Sequence, residues 1–146
     1  MYELIYVSQA LVDLSQDEME KFLGVSRTRN AASGVTGHLL HVHDRPHGTA
    51  YFVQMLEGPQ DAVQETFGRI RRHMLHTDVR LVHRGTKETR SFQGWQMRLA
   101  TTTTDTVLAM IAAEPALAHL TGSTLDLLAD PFLARTLLML SAGQHA

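Results

Sequence analysis

The sequence lacks several residue patterns that define common protein classes. It contains no cysteine, which excludes disulfide bonds, thiolate-bound iron–sulfur clusters and thiol catalysis. No run of lysine and arginine stands out and the net charge is −2, so the basic surface typical of nucleic-acid binding is missing. No apolar stretch approaches the roughly 20 residues of a membrane helix, and no signal-peptide pattern is present. We therefore expect a cytoplasmic protein that contacts neither nucleic acid nor membrane.

What is present indicates one globular domain. The chain has 146 residues, of which 44% are hydrophobic and 19% charged. Alternating apolar residues predict strands, first at 2–8, then after Gly34, and further at 49–57, 78–85 and 95–100. A capping box formed by Ser15 and Glu18 begins a helix, and "GPQDAV" begins a second one. This βαββαββ order predicts an α+β, ferredoxin-like fold, in which two helices cover one face of a mixed five-stranded sheet.

One polar residue interrupts the apolar strand "YFVQMLEGP" (51–59). Both faces of this strand are otherwise apolar, so Gln54 has no evident solvent to point into. A buried amide without a partner costs roughly 1–3 kcal/mol. In the predicted fold the first and third strands are central neighbours, which brings Tyr6 within reach of Gln54. Asn30, at the inner end of the first helix, projects over the same region, so the three polar groups predict a ligand pocket.

Each of these residues also has a simpler interpretation. Tyr6 is compatible with a core tyrosine whose hydroxyl lies at the edge, and Asn30 with a helix C-terminal residue in left-handed geometry. Gln54 is compatible with a bond to the backbone at a bulge. Together they favour a pocket, because paired amide donors and acceptors match the imide edge of a flavin or a pyrimidine.

At these residues the sequence resembles the BLUF family of blue-light receptors that use FAD. The resemblance rests on four motifs in the same order as in the family: "LIYVS" (4–8), "SRTRNAASGVTG" (26–37), "VQMLEGP" (53–59) and "RSFQGWQM" (90–97). It covers residues 1–100, which we expect to form the flavin-binding domain. Such domains have the ferredoxin-like fold, with the flavin between the two helices.

The resemblance also implies roles for individual residues. Tyr6 matches the redox-active tyrosine, and Gln54 matches the glutamine that bonds both this tyrosine and the flavin. Trp95 and Met97 match the tryptophan and methionine of the last strand, which relay the signal. The residues expected to bind the cofactor are Ser26, Arg29, Asn30, Gln54, Arg69 and His73. Among these, Arg29 and His73 depart from the residues common in the family.

The implied mechanism is photochemical rather than enzymatic. Blue light drives electron and proton transfer from Tyr6 to the noncovalently bound FAD, and Gln54 then rearranges its hydrogen bonds by rotation or tautomerisation. The last strand and the tail carry the change to a partner protein.

The tail, residues 101–146, has no catalytic motif. Its segments "TTTTDTVLAMIAAEP" and "DPFLARTLLMLSAG" predict helices. We expect a helical extension that packs on the open face of the sheet and shapes a homo-oligomer. Since no output domain follows, the response is expected to pass to a separate protein.

The hairpin at 38–48 is longer than is usual in the family and rich in histidine. His41 and His43 share a strand face and His47 lies across the turn, so a metal site can be drawn. The only nearby carboxylate along this segment is Asp44. We therefore expect a solvated hairpin and no metal.

Two other functions remain open. The first is a BLUF-like interaction module that has lost its photochemistry, which the altered Arg29 and His73 allow. The second is a small ferredoxin-like enzyme, such as an acylphosphatase or a heme-degrading monooxygenase. The sequence offers no convincing Arg–Asn phosphate pair or heme-ligand histidine for that enzyme.

Overall fold

The computed structural model describes residues 1–73 and 75–143. Its strands are β1 (Tyr2–Ala10), β2 (Thr36–Asp44), β3 (Thr49–Gly58), β4 (His76–Thr86) and β5 (Arg98–Thr103). Its α-helices are α1 (Gln16–Ser33), α2 (Gln60–Arg71), α3 (Thr104–Ala113), α4 (Thr124–Leu128) and α5 (Pro131–Ser141). Short 3₁₀ turns lie at Arg45–His47 and Pro115–Leu117.

The strands form one five-stranded sheet in the order β4-β1-β3-β2-β5. Every neighbouring pair is antiparallel except β2 and β5, which run parallel. This mixed sheet confirms the predicted α+β, ferredoxin-like fold, with β1 and β3 adjacent near its centre. In the β1–β3 register Tyr6 lies directly opposite Gln54, and on the other side of β3 Leu39 lies opposite the same residue.

Strand alternation separates two hydrophobic layers, one on each face of the sheet. Tyr6, Phe52 and Leu56 point to the side covered by α1 and α2, where Met19 and Leu23 of α1 pack against them. The opposite face packs against the C-terminal helices through a second layer, which includes Val7, Val53, Met55, Leu133 and Leu138. The C-terminal segment therefore covers the face that the first two helices leave open.

The limits of α1 follow from its end residues. The Ser15 hydroxyl accepts from the Glu18 amide at 3.2 Å and the Glu18 carboxylate accepts from the Ser15 amide at 3.1 Å, so the predicted capping box is present. The helix ends at Gly34, whose φ of 75° suits glycine and whose amide donates to the Asn30 carbonyl. Asn30 thus lies in the last turn of α1. The left-handed position, which was one interpretation of Asn30 from the sequence, is occupied by Gly34.

The prediction of a fifth strand at 95–100 was wrong in its bounds. β5 pairs with β2 only from Arg98 onward and continues to Thr103, so Trp95 and Met97 lie in the preceding loop. The backbone amides at the start of this loop, those of Ser91 and Phe92, donate to the Glu57 carboxylate instead of to a strand. A domain boundary at residue 100 would fall inside β5.

The prediction of a solvated histidine-rich hairpin was also wrong. β2 lies between β3 and β5, and its side chains are covered on both faces, so His38 and His41 are fully buried. Only His47, at the turn, has a largely exposed side chain (77%), and it pairs with Asp44 at 2.9 Å. His38 and His41 are thus part of the packed interior, whereas His43 is partly exposed.

Within the described residues, no helix combines the length and the apolar character needed to cross a bilayer.

Candidate functional site

A cavity of about 450 Å³ lies between α1, α2 and the face of the sheet that these helices cover. Its volume is within the range of roughly 300–1,000 Å³ typical of small-molecule sites. Its walls are mainly apolar, with contributions from Met19, Phe22, Leu23, Leu39, Phe52 and Ile70. The polar side chains of Tyr6, Asn30 and Gln54 reach the same cavity, as the sequence predicted.

The amide of Gln54 is bonded at both ends. The hydroxyl of Tyr6 donates to its Oε1, and its Nε2 donates to the sulfur of Met97 at 3.1 Å. Gln54 is 4% exposed and Tyr6 3%, so these bonds form away from solvent. Burial raises the pKa of Tyr6 above its usual value, which keeps the phenol protonated and able to donate.

Asn30 is the third buried polar group and projects from the last turn of α1. It is 2% exposed, and its Nδ2 donates to the Gln96 carbonyl in the loop before β5. Within residues 1–73 and 75–143, this is the one hydrogen bond found for its side chain. An amide carries two donor hydrogens and an acceptor oxygen, so Asn30 can hold a ligand that offers both a donor and an acceptor.

Tyr6 is enclosed by two further rings, neither of which was predicted from the sequence to lie beside it. The ring centroid of Phe67 in α2 lies 5.5 Å from that of Tyr6. The ring of His76 in β4 is edge-on to Tyr6, with 6.0 Å between the centroids. His76 Nε2 donates to the Ile70 carbonyl at 2.6 Å, while its Nδ1 accepts from Ser8 at 2.8 Å. Burial lowers the pKa of His76 and favours the neutral ring. The predicted strand began at residue 78, which left His76 outside the pattern.

The remaining predicted cofactor ligands, Ser26, Arg29, Arg69 and His73, also line the cavity. Arg69 bonds Glu65 at 2.9 Å, and Arg29 is exposed at the rim. Both guanidinium groups also border a second cavity of about 310 Å³ between α1 and α2. Arg29 and Arg69 therefore lie where the larger cavity meets the smaller one, which Glu65 also lines.

The two predicted relay residues occupy different places. Met97 is 3% exposed and contacts the amide of Gln54. Trp95 lies in the layer on the other face of the sheet, stacked on Phe92 at 5.5 Å, with the guanidinium of Arg98 4.5 Å from its ring centre. The structure therefore brings Met97 into the site but leaves Trp95 outside it.

These features fit FAD. An apolar slot suits a planar ring system, and the amides of Asn30 and Gln54 suit the imide edge of that ring. Two guanidinium groups at the junction with the second cavity suit an anionic diphosphate tail.

Residues 1–98 match the family model described as "BLUF: Sensors of blue-light using FAD". The chain belongs to the BLUF family. Among relatives of this BLUF protein, the photoactivated adenylate cyclase subunit beta of Euglena gracilis is 38% identical over 99 residues, which is 67% of this chain. The corresponding subunit of Euglena longa is 35% identical over 99 residues. The BLUF chain spans only 11% of the length of either relative.

Solved structures agree with this assignment. BlrB, a BLUF protein in its dark state, has a TM-score of 0.64 and 27% identity, with 94% of each chain covered. BlsA in its photo-activated state has a TM-score of 0.67 at 22% identity, again over 94% of each chain, and supports the fold. The predicted family, the FAD cofactor and the role in blue-light sensing are thereby confirmed.

Proposed function

We propose that Tyr6 and Gln54 are the photoactive pair of this blue-light sensor. The observation that carries the proposal is the buried hydrogen bond from the Tyr6 hydroxyl to Gln54 Oε1 at the wall of the cavity. It connects a phenol, which can give up an electron and a proton, to an amide that has two distinguishable ends.

The other cavity residues would hold the cofactor. Asn30 and Gln54 would bond the imide edge of FAD, and Ser26 and His73, which also line the cavity, would contact the cofactor. Arg29 and Arg69 would neutralise its anionic tail, because their guanidinium groups stand between the two cavities.

Bound FAD supplies absorption of blue light and, in its excited state, a strong acceptor of one electron. The protein supplies the donor: Tyr6 retains its proton in the dark because burial raises its pKa. Gln54 would retain the light-induced change in its hydrogen bonds. Its amide can present either Oε1 or Nε2 to Tyr6, and these two arrangements have different hydrogen-bond partners, which makes the amide a two-state switch.

The loop before β5 would carry the change outward. Met97 accepts from Gln54, and the neighbouring Gln96 carbonyl accepts from Asn30, so this loop contacts the site at two points. Trp95 in the same loop packs against His38 at 5.8 Å on the other face of the sheet. His38 in turn is bonded to Ser141 of α5 at 2.9 Å. Movement of the loop would thus reach the C-terminal helices through contiguous contacts.

We further propose that the chain catalyses no reaction and passes its signal to a separate cytoplasmic protein, acting as a homo-oligomer. Relatives named photoactivated adenylate cyclase support coupling to an effector. In this chain α5 would be the contact element, since it touches β1, β2 and β3 from the face opposite the cavity.

The visible spectrum of the purified protein tests the proposal. We expect flavin absorption bands that shift reversibly to the red after blue light and return in the dark. A protein that binds FAD without any light-induced shift would instead be an interaction module without photochemistry. A protein that takes up no FAD would contradict the assigned site.

A further inference from the structure

Three potential metal ligands converge at the end of β2, on the face of the sheet covered by α1. His41 and His43 alternate along β2 and lie side by side, with ring centroids 4.1 Å apart. Asp13, in the loop between β1 and α1, places Oδ1 2.8 Å from His43 Nδ1 and 3.4 Å from His41 Nε2. One ligand atom from each of the three residues lies within 4.8 Å of the others.

The buried member of this group lacks the partners expected of a structural histidine. His41 is fully buried, and neither of its ring nitrogens has a hydrogen-bond partner among the described residues. A buried imidazole nitrogen that has no hydrogen-bond partner and lies 3.4 Å from a carboxylate oxygen is placed to bind a metal ion.

We propose that Asp13, His41 and His43 form a binding site for a divalent first-row transition ion of the zinc type. Two imidazoles and one carboxylate are a common donor set for such ions, with water in the remaining position. Ligand atoms bound to one ion at about 2.0–2.2 Å lie roughly 3–3.5 Å apart. The two distances from Asp13 Oδ1 to the histidine nitrogens, 2.8 and 3.4 Å, are close to that, and the Asp13 side chain is able to adjust because its loop is exposed.

This triad differs from the site that the hairpin sequence alone suggested. His47 lies at the turn and pairs with Asp44 at 2.9 Å. The missing carboxylate comes instead from Asp13, which is distant in sequence. The triad is also separate from the residues proposed to bind FAD: Phe52, whose ring lies 5.1 Å from that of His41, stands between it and the cavity.

Calorimetric titration of Zn²⁺ into the FAD-loaded, tag-free protein in the dark tests the proposal. We expect one ion per chain. Asp13→Asn, a near-isosteric change in an exposed loop, should weaken binding by about tenfold or more. His43→Gln, at a partly exposed strand position, should do the same. The matched control is His47→Gln in the same hairpin, which should leave the dissociation constant within about twofold.

Two results would overturn the site. In the first, the protein takes up no Zn²⁺ at millimolar concentration, in which case Asp13 serves only as an ion-pair partner of His43. In the second, His47→Gln weakens binding as much as Asp13→Asn does, which would place the ion elsewhere in the hairpin. Circular dichroism of each variant separates loss of the site from loss of the fold.

Discussion

Gln54 Nε2 donates a hydrogen bond to the sulfur of Met97 at 3.1 Å, although the two residues belong to β3 and to the loop before β5. Thioether sulfur is a weak acceptor, so the contact biases the amide without fixing it. The orientation of Gln54 and the position of the loop are therefore coupled. We propose that this arrangement, with Nε2 towards Met97, is the one that the dark state adopts.

Replacing Met97 tests this coupling. Met97→Leu preserves volume but removes the acceptor, which destabilises the dark arrangement relative to the lit one. A loss of about 1 kcal/mol corresponds to roughly a fivefold change in an equilibrium or a rate. We therefore expect the light-shifted spectrum to decay several times more slowly. Met55→Leu, on the opposite face of β3, is the control and should leave the decay unchanged. If the light-shifted spectrum decayed at the same rate in both variants, Met97 would have no role in the switch.

Asn30 should contribute to cofactor affinity. Asn30→Ala deletes the amide that reaches the cavity, so we expect FAD to bind about tenfold more weakly, which corresponds to roughly 1.4 kcal/mol. Thr28→Ala, on the exposed side of the same helix, is the control. Fluorescence titration of the apoprotein with FAD measures both. Wild-type affinity in Asn30→Ala would exclude it as a ligand.

Glu57 should hold the loop before β5 against the sheet. This fully buried carboxylate accepts from the Phe92 amide at 2.7 Å, the Thr36 hydroxyl at 2.9 Å, the Ser91 amide at 2.8 Å and the Lys87 ammonium at 2.6 Å. Glu57→Gln would point an amide nitrogen at two of these donors and leave the ammonium without this partner. We expect the free energy of unfolding to fall by roughly 3–5 kcal/mol.

Chemical denaturation measures this loss of stability. Glu88→Gln, at an exposed position of the same loop between β4 and β5, serves as the control and should change stability by no more than about 0.5 kcal/mol. If Glu57→Gln were equally mild, the loop would have to be anchored by other contacts.

His38 should make stability depend on pH. Burial, followed by the charge of Arg98, lowers its pKa from 6.5 to about 4. The Ser141 hydroxyl donates to the Leu138 carbonyl at 3.2 Å, so His38 Nε2 carries the hydrogen and donates to Ser141 at 2.9 Å. The ring is thus neutral where the β2 strand meets α5.

The direction of the pH effect follows from proton binding. A depressed pKa means that the unfolded chain binds the proton more tightly, so stability is full above about pH 6.5 and falls as the pH drops towards 4. From pH 7 to pH 5, His38 alone should remove on the order of 2 kcal/mol. Denaturation of wild type and His38→Leu at both pH values isolates the contribution of His38 to the pH dependence of stability. His119→Gln, at an exposed position, is the control. If His38→Leu lost as much stability as wild type between pH 7 and pH 5, His38 would not be the source of the pH dependence.

The sequence was sufficient to predict the pocket because its determinants are local. The alternation along 51–59 identified Gln54 as the polar residue in an apolar strand. The capping box at Ser15 fixed the start of α1 and hence the side of the helix on which Asn30 lies. The strand order then brought Tyr6 opposite Gln54. Each of these steps depends on residues close in the chain or on a topology shared by many folds.

What the sequence did not predict depends on tertiary contacts. Trp95 and Met97 were assigned to a strand because apolar and polar residues alternate through that segment, but Glu57 accepts hydrogen bonds from the backbone amides of the preceding residues Ser91 and Phe92. Asp13 was missed as a neighbour of His41 because a loop-to-strand contact has no local signature. The hairpin was expected to be solvated, since nothing in its own composition shows that Phe92, Trp95 and Ser141 will cover His38.

The light-minus-dark visible difference spectrum of Tyr6→Phe shows whether the Tyr6–Gln54 pair performs the light response. This variant removes one hydroxyl and leaves the ring packing in place, so we expect it to bind FAD and stay yellow. Tyr51→Phe, on the opposite face of β3 from Gln54, is the matched control and should keep the reversible red shift. We expect no shift in Tyr6→Phe, and a shift of wild-type size in that variant would exclude Tyr6 from the light response.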